Sequence, residues 1–430
     1  MIKYEKQLEV SAKYDVVVIG SGPAGVCAAV AAARQGQRTA IIERYGIVGG
    51  NLTIGCVGPI LGSVAKGTMY DELSRLLLTE NGKLHSGCVH DMENAKKVVL
   101  DFLLDSGVNI YLQTPVVDTI QSQGVLTGIL ISTREGLSII ESSRFIDATG
   151  DGDIAVSAGA PWEFGRDGDH QLQPVTLMYI IENVDDTRAI SCYGEEDNVK
   201  LGDERFLDFT ARCCRDGRLP ENCSSVRLYP TTHRGERLVN TTQVNYINPL
   251  KQSEIVKAEM ELRHQIDQIT EFLRTYVPGY ENCNVKTGAS TLGVRESRRI
   301  IGEYILNVED LRAGRRFDDV IVHKANFVVD IHNPVGGGQE YGLAEVIKPY
   351  DIPYRCLLPL NVENLLLAGR CISGTHEAMA SFRVMSICMA MGQAAGTAAA
   401  LSVKANVSPR LLDVKSLQKE LMAKGADLFS

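Results

Sequence analysis

Six residues near the start of the chain, Gly20-Ser21-Gly22-Pro23-Ala24-Gly25, have the types and spacing of a phosphate cradle, G-x-G-x-x-G. In that pattern Gly20 permits a tight turn, Gly22 lets backbone approach a pyrophosphate, and Gly25 lets a helix pack closely on a strand. A helix opening after Pro23 and Ala24 would present free N–H groups and a partial positive charge to phosphate. The pattern is completed by an acidic residue about 20 positions further on, and Glu43 stands there, followed by Arg44. A carboxylate at that point suits the hydroxyls of an adenosine ribose and repels a 2′-phosphate, which disfavours NADP.

Other residues could move protons or bind charge. His376 lies in Gly374-Thr375-His376-Glu377, and His332 alternates with Asp330 in Val329-Asp330-Ile331-His332. Each imidazole suits proton transfer, or else a structural hydrogen bond. The run Arg295-Glu296-Ser297-Arg298-Arg299 has two readings. Arg295 and Arg298 could grip an anionic substrate group through guanidinium forks, or the run could be an ion-paired structural element.

The elements that would position these groups follow from periodicity. Tyr14–Ile19 reads as a buried parallel strand, Val26–Arg34 as a helix stopped by Gly36, and Arg38–Ile42 as a second strand ending at Glu43. That is one strand–turn–helix–strand unit in about 30 residues, as a dinucleotide fold needs. Asp91–Ser106 is an amphipathic helix, and Asn109–Gln113, Val116–Ile120, Leu126–Thr133 and Leu137–Phe145 are strands, the middle ones a small meander. The character changes from Pro161, with strands at Val175–Ile181 and Gln243–Tyr246 and a long helix at Ser253–Tyr276. A buried strand returns at Asn364–Ala368, then a small-residue helix runs to about Ala405, and a tail helix is capped at Ser408. Gly336–Gly338, in GGGQEYG, reads as a mobile loop over a substrate site, because no amphipathic helix follows it.

With 430 residues, 44% of them hydrophobic, and a net charge of -9, disorder and a basic nucleic-acid surface are both disfavoured. No membrane span is expected: the apolar stretch near Ser386–Val403 is broken by Gln393 and reads as a buried helix. Eleven scattered cysteines without C-x-x-C argue against zinc and iron–sulfur sites, and no metal is expected. Reduced thiols and a charged, unleadered N-terminus fit a cytoplasmic enzyme.

Further motifs narrow the class. GVRESRRIIGEY (Gly293–Tyr304), DIPYRCLLP (Asp351–Pro359), NLLLAGRCIS (Asn364–Ser373) and SFRVMSICMAMGQAAGTAAA (Ser381–Ala400) occur in order after the glycine cradle. In these the chain resembles the bacterial FAD-dependent oxidoreductases, within the broad glutathione-reductase/fumarate-reductase style. The resemblance implies an α/β fold: a Rossmann-like FAD-binding domain from discontinuous segments (residues 1–160 and 326–405), an inserted α+β substrate or cap domain (161–325), and a C-terminal helical tail (406–430).

It also implies residue roles. Gly20, Gly22 and Gly25 would hold the FAD pyrophosphate, Glu43 the ribose, and Gly49, Gly50 and Asn51 the region toward the flavin. Val116 or Val117 would meet adenine through backbone groups, and Thr149 and Gly150 would line the dinucleotide. Many relatives carry Gly-Asp on the last strand; here Gly369-Arg370 stands instead, so that carboxylate contact is in doubt, and Arg370 could face a phosphate. A helix near Ser381–Gly396, with Arg383 and Val384 near its start, would aim its N-terminus at the flavin edge where the reduced ring carries negative charge. Gly392, Ala394, Ala395 and Gly396 would pack it against the central strands. Cys56 lacks the near partner thiol of the disulfide reductases, the next cysteine being Cys88.

One nucleotide fingerprint implies one FAD and no NAD(P)H domain. The expected function is hydride transfer between flavin N5 and a C–H or C=C bond of a small organic substrate, with His376 or His332 moving the proton. The alternative is a flavin-bearing electron-transfer subunit of a multi-protein reductase. An NAD-dependent dehydrogenase leaves the return strand at Asn364–Gly369 unexplained. The electron acceptor could be oxygen, a quinone or an electron-carrier protein, and a homo-oligomer is possible.

Overall fold

The computed structural model describes residues 5–78, 83–84, 87–194, 196–340 and 347–430. Val10–Ile19 is a strand whose last four residues are fully covered; β-branched side chains suit a position buried on both faces. The chain turns at Gly20, where φ is +92°, and enters the helix Pro23–Arg34 directly. This helix begins inside the glycine motif rather than at Val26, because Gly22 is its N-cap and Pro23 brings a preset φ. A Cβ on Gly25 would stand 1.9 Å from the Gly20 carbonyl oxygen, so strand and helix meet at backbone contact.

Thr39–Ile42, Asn109–Tyr111 and Gly136–Asp147 extend the sheet in parallel, in the order Asn109–Tyr111, Thr39–Ile42, Val10–Ile19, Gly136–Asp147. Gly136–Asp147 serves two partners on its outer side. Its first half pairs antiparallel with Val125–Thr133, which continues to Val116–Ser122 as the expected meander. Its end, Phe145, Ile146 and Asp147, pairs parallel with the return strand Leu365–Leu367. The fold is thus a Rossmann-type α/β sheet built from discontinuous segments.

The small-residue helix departs from expectation in two ways. It is broken: a short helix His376–Phe382 is followed by Arg383 and Val384, and the long helix is Met385–Lys404. Its glycines also face the helix Pro23–Arg34 rather than the strands. A Cβ on Gly392 would stand 2.0 Å from the Ala24 carbonyl oxygen, and one on Gly396 2.1 Å from that of Ala28. Met385–Lys404 is long and apolar enough to span a membrane, but 89% of its apolar window is buried inside the protein.

A second core, built from residues 175–289 and joined by Cys56, has a four-stranded antiparallel sheet: Arg227–Pro230, Arg237–Asn240, Tyr179–Glu182, Asn284–Gly288. The helix Gln252–Tyr276 covers it with Ala258, Leu262, Ile266, Ile269 and Leu273, one face at helical spacing. The strand expected at Val175–Ile181 begins only at Tyr179. Gln243–Tyr246 is reduced to an isolated antiparallel bridge, Val244 against Val175, while Gln243 Nε2 and Asn245 Nδ2 donate to the carbonyls of Gly336 and Asn333 at 2.6 and 2.8 Å. Ile300, Leu306, Leu311 and Val320 pack in the first core, and Arg298–Ile300 pairs antiparallel with Trp162–Phe164.

At the C-terminus Ser408 makes no side-chain cap, and Pro409–Leu411 is a single 3-10 turn. The tail helix is Val414–Ala423, capped by the Asp413 carboxylate. Leu417 and Leu421 anchor it in the first core. Every cysteine whose side chain is described is free, and no metal-ligand cluster exists among the described residues.

The helix contact gives a signed prediction. Alanine in place of a helical glycine favours helix by about 1 kcal/mol. At Gly392 or Gly396 the backbone overlap outweighs this, so Gly392→Ala or Gly396→Ala should lower stability by about 1–3 kcal/mol. Urea unfolding measures it; a stabilised variant would mean the helices are not in such close contact.

Candidate active site

A cleft of about 370 Å³ runs along the C-terminal ends of the parallel strands, touching Ile19, Ile42, Ala148 and Ala368. Ligand crevices of open α/β sheets lie at this edge. Its first wall is the glycine turn. Gly20, Ser21, Gly22, Pro23 and Ala24 line it, whereas Gly25 is turned to the Gly20 carbonyl, a packing position. Glu43 is buried beneath this turn and organises it. Its Oε2 accepts from Ser21 N at 2.9 Å and Ser21 Oγ at 2.5 Å, and its Oε1 from Tyr45 N at 2.9 Å. Both Glu43 and Arg44 also line the cleft.

The remaining expected cofactor residues divide. Gly50, Asn51, Val116, Thr149, Gly150, Gly369, Arg370 and Arg383 are on the wall. Gly49 packs on Thr53, the Val117 side chain is exposed, and Val384 packs toward Gly62; none of these three lines the cleft. The break at Arg383 and Val384 replaces the continuous helix expected from Ser381, and it is what brings Arg383 and Met385 to the wall.

Several acidic residues that the sequence reading passed over build the far wall. Buried Asp147 accepts from Thr149 N and Oγ1 and from the amides of Ile154 and Ala155, pinning the turn after its strand. Asp151 takes Arg370 Nη2 and Ser297 Oγ, each at 2.5 Å. Burial would raise the Asp151 carboxyl, but Arg370 and Ser297 hold it below its usual range. Burial first, then the charges of Asp151 and Asp147, push Asp153 up to about 6. The run Asp147-Ala-Thr-Gly-Asp-Gly-Asp directly after a strand was the available signal.

The arginine run splits by position. Arg298 donates to Asp151 O at 2.8 Å and pairs with Asp153. Arg299 is buried against Glu296 Oε1 at 2.6 Å and the carbonyls of Gly374 and Gly165. Arg370 is likewise held by protein partners, Asp151 and the Val294 carbonyl. Arg295 differs: it lines the cleft and also a small second cavity shared with Arg227 and His332.

The two histidines are separated as well. His376 sits at the start of its short helix with Nδ1 2.8 Å from Glu296 Oε1, buried and off the cleft wall. His332 lies in the second cavity, its Nε2 3.6 Å from Asp330 Oδ2. It is not on the strand that alternation suggested, having only an isolated bridge to Gln339. Burial, then the nearby Arg295 charge, lower His332 to about 4 despite the pull of Asp330. Cys56 is off the wall, and burial pushes its thiol up to about 12, which suppresses thiolate chemistry. Of the GGGQEYG run, the described part is tied down through the Gly336 carbonyl, and 341–346 lie outside the described residues.

These walls fit a dinucleotide. Helices Pro23–Arg34 and Met385–Lys404 both begin at the cleft, and neither N-cap carries a side-chain bond. Their first amides are therefore open to an anion. A Cβ on Gly22 would meet nothing within 4 Å, and its φ of -65° suits any residue. Gly22→Glu should therefore fold with a normal melting temperature and yet purify without flavin. Yellow Gly22→Glu protein would refute the pyrophosphate assignment.

Comparison with known proteins agrees with this architecture. Among curated proteins, the dihydrolipoyl dehydrogenase of Chlorobaculum parvum is 32% identical over 146 residues, 33% of this chain and 30% of that protein. The soluble pyridine nucleotide transhydrogenase of Chromohalobacter salexigens is 62% identical over 40 residues, 9% of each. The chain thus matches less than a third of the length of these curated relatives. Among solved structures, p-nitrophenol 4-monooxygenase of Pseudomonas putida aligns with TM-score 0.50 and 11% identity, covering 95% of this chain and 84% of that one, a likeness of fold alone. A geranylgeranyl bacteriochlorophyll reductase-like protein of Thermoplasma acidophilum gives TM-score 0.49 and 15% identity, covering 97% and 84%. The family model described as FAD dependent oxidoreductase matches residues 15–421, cradle, insertion and return strand together; the chain belongs to the family of FAD-dependent oxidoreductases, and its cofactor is FAD.

Proposed function

We propose that FAD lies along the sheet-edge cleft and that the enzyme moves a hydride between its flavin and a C–H or C=C bond of a small organic substrate. The flavin supplies the hydride acceptor or donor; the chain must bind and orient the substrate and move one proton. What supports this reading is the position of Arg295, which walls both the cleft and the polar cavity holding His332. The insertion thereby closes one end of the cleft, with Thr291, Leu292 and Val294 beside Arg295. A substrate seated there has apolar contacts and a fixed cation on the cleft wall, with the imidazole in the adjoining cavity behind Arg295.

His332 is the proposed proton-transfer residue. Its lowered basicity leaves it neutral at physiological pH, able to take a proton from a substrate being oxidised. Asp330 orients it, in turn held by Arg383 and Gln339. His376 is the weaker candidate because Glu296, itself paired with Arg299, holds its Nδ1 away from the cleft. Its role is positional, joining the short helix before the cleft to the segment carrying Arg295.

Anaerobic mixing of the yellow holoenzyme with candidate metabolites tests the reading: one of them should bleach the flavin without added protein. A flavin reduced only by a partner protein would instead establish the electron-transfer subunit. His332→Gln should retain FAD and slow the bleaching by about 10²–10⁴-fold, while His376→Gln should mainly lower the melting temperature. The reverse pattern would return His376 to the chemistry. Because a base must be unprotonated, kcat/KM for substrate oxidation should hold from neutrality downward and fall as pH drops through about 4. A loss already complete at pH near His's ordinary value, about 6.5, would contradict the role.

A further inference from the structure

We propose that Arg295 sets the redox potential of the bound flavin: its unpaired charge on the cleft wall stabilises the negative charge that the ring gains on reduction. The inference needs FAD in the cleft and holds whatever substrate exchanges the hydride. The glycine turn takes the pyrophosphate, and Glu43 with Thr114, Pro115 and Val116 walls the adenosine side. The flat flavin ring is left the wall made by Ile54, Leu292, Val294 and Met385, where Arg295 and the open first turn of Met385–Lys404 also stand.

Besides Arg44, three arginines line the cleft, and two of them are already paired. Arg383, which the sequence places near the flavin edge, has its Nη2 3.2 Å from Asp330 Oδ2 and donates to the Asp330 carbonyl at 2.7 Å. Arg370 is paired with Asp151. Arg295, 9% exposed, donates from Nη1 to the Pro174 carbonyl at 2.7 Å and forms no ion pair among the described residues. The neighbouring acids are committed elsewhere, Glu296 to Arg299 and His376, and Asp330 to Arg383 and Gln339.

A buried cation without a counter-ion is costly. Burial, then repulsion from Arg383, lowers the Arg295 guanidinium to about 9, so it stays charged at neutral pH. The oxidised ring is neutral, whereas two electrons and one proton leave it with a single negative charge. A fixed cation in a wall that excludes water therefore favours the reduced form over the oxidised one and raises the potential. Arg295 does for the ring what Arg383 cannot, because the Asp330 carboxylate cancels the charge of Arg383 at short range. That contrast gives the two positions potential shifts of opposite sign.

The test reads two quantities on the yellow holoenzyme. One is the flavin midpoint potential, from dithionite titration against a dye of known potential. The other is the affinity for sulfite, whose lone pair forms a bond to flavin N5 and leaves the ring anionic without any proton. Arg295→Met should lower the potential by about 30 mV or more, a tenfold change in a two-electron equilibrium, and weaken sulfite about tenfold. Arg295→Lys, which keeps the charge, should restore most of both. Asp330→Asn, which frees Arg383 of its carboxylate, should raise the potential. An unmoved potential in Arg295→Met, or a fall in Asp330→Asn, would overturn the proposal. Sulfite is itself an anion, so weaker sulfite binding with an unmoved potential would also overturn it, showing Arg295 as an anion binder only. If Arg295→Met does not fold or loses its flavin, the unaltered holoenzyme still decides: its potential should lie above that of free FAD in the same buffer, and a value at or below free FAD overturns the proposal. Both quantities are read without substrate, so they stand or fall apart from the hydride-transfer reading.

Discussion

The backbone contact between two helices sets the geometry on which the cleft depends. Pro23–Arg34 and Met385–Lys404 come from opposite ends of the sequence, and Gly392 and Gly396 let the second lie against the carbonyls of Ala24 and Ala28. A larger residue at either point would push the helices apart by the width of a side chain. Because they lie so close, both begin at the same sheet edge and present their uncapped first turns to one cleft. The return strand Leu365–Leu367, seated on the end of Gly136–Asp147, delivers the second helix to that place. Two positive helix ends about one elongated diphosphate-bearing molecule is an economical electrostatic arrangement, since each end contributes without a formal charge that would need its own partner.

Formal charge is instead used to join the inserted unit to the sheet. Asp151, Arg370, Ser297, Arg298 and Asp153 form one bonded set behind the cleft. Glu296, Arg299 and His376 form another. Both sets bring the segment after the second core against the strand ends. In these buried clusters removal of one partner would leave an uncompensated charge, so they lock a relative orientation more than they add net stability. Arg295 is the member of the run left facing the ligand space, and that inequality among neighbours gives the site its chemical direction.

The parts of this legible in sequence were those with short-range signatures. The strand–glycine–helix unit, Glu43 at its distance, the meander and the helix Gln252–Tyr276 each follow from local turn chemistry or hydrophobic spacing. The helix break at Arg383 and Val384 left no such mark, because no proline or glycine stands there and Thr375 caps a separate short helix upstream. Gln243–Tyr246 reads as a strand by alternation, yet its polar side chains are recruited by the Asn333 and Gly336 carbonyls, partners remote in sequence. For the same reason the sequence could not divide the labour of Arg295, Arg298 and Arg299. Buried polar groups are assigned by their partners, and these partners are brought by tertiary structure.

Hydrogen–deuterium exchange, comparing protein stripped of FAD with protein reconstituted with it, reaches the central claim most directly. If both uncapped helix starts face the cofactor, amides at 20–25 and 385–388 should gain protection together on FAD binding. Protection at the glycine turn with unchanged exchange at 385–388, or at neither, would contradict the shared cleft.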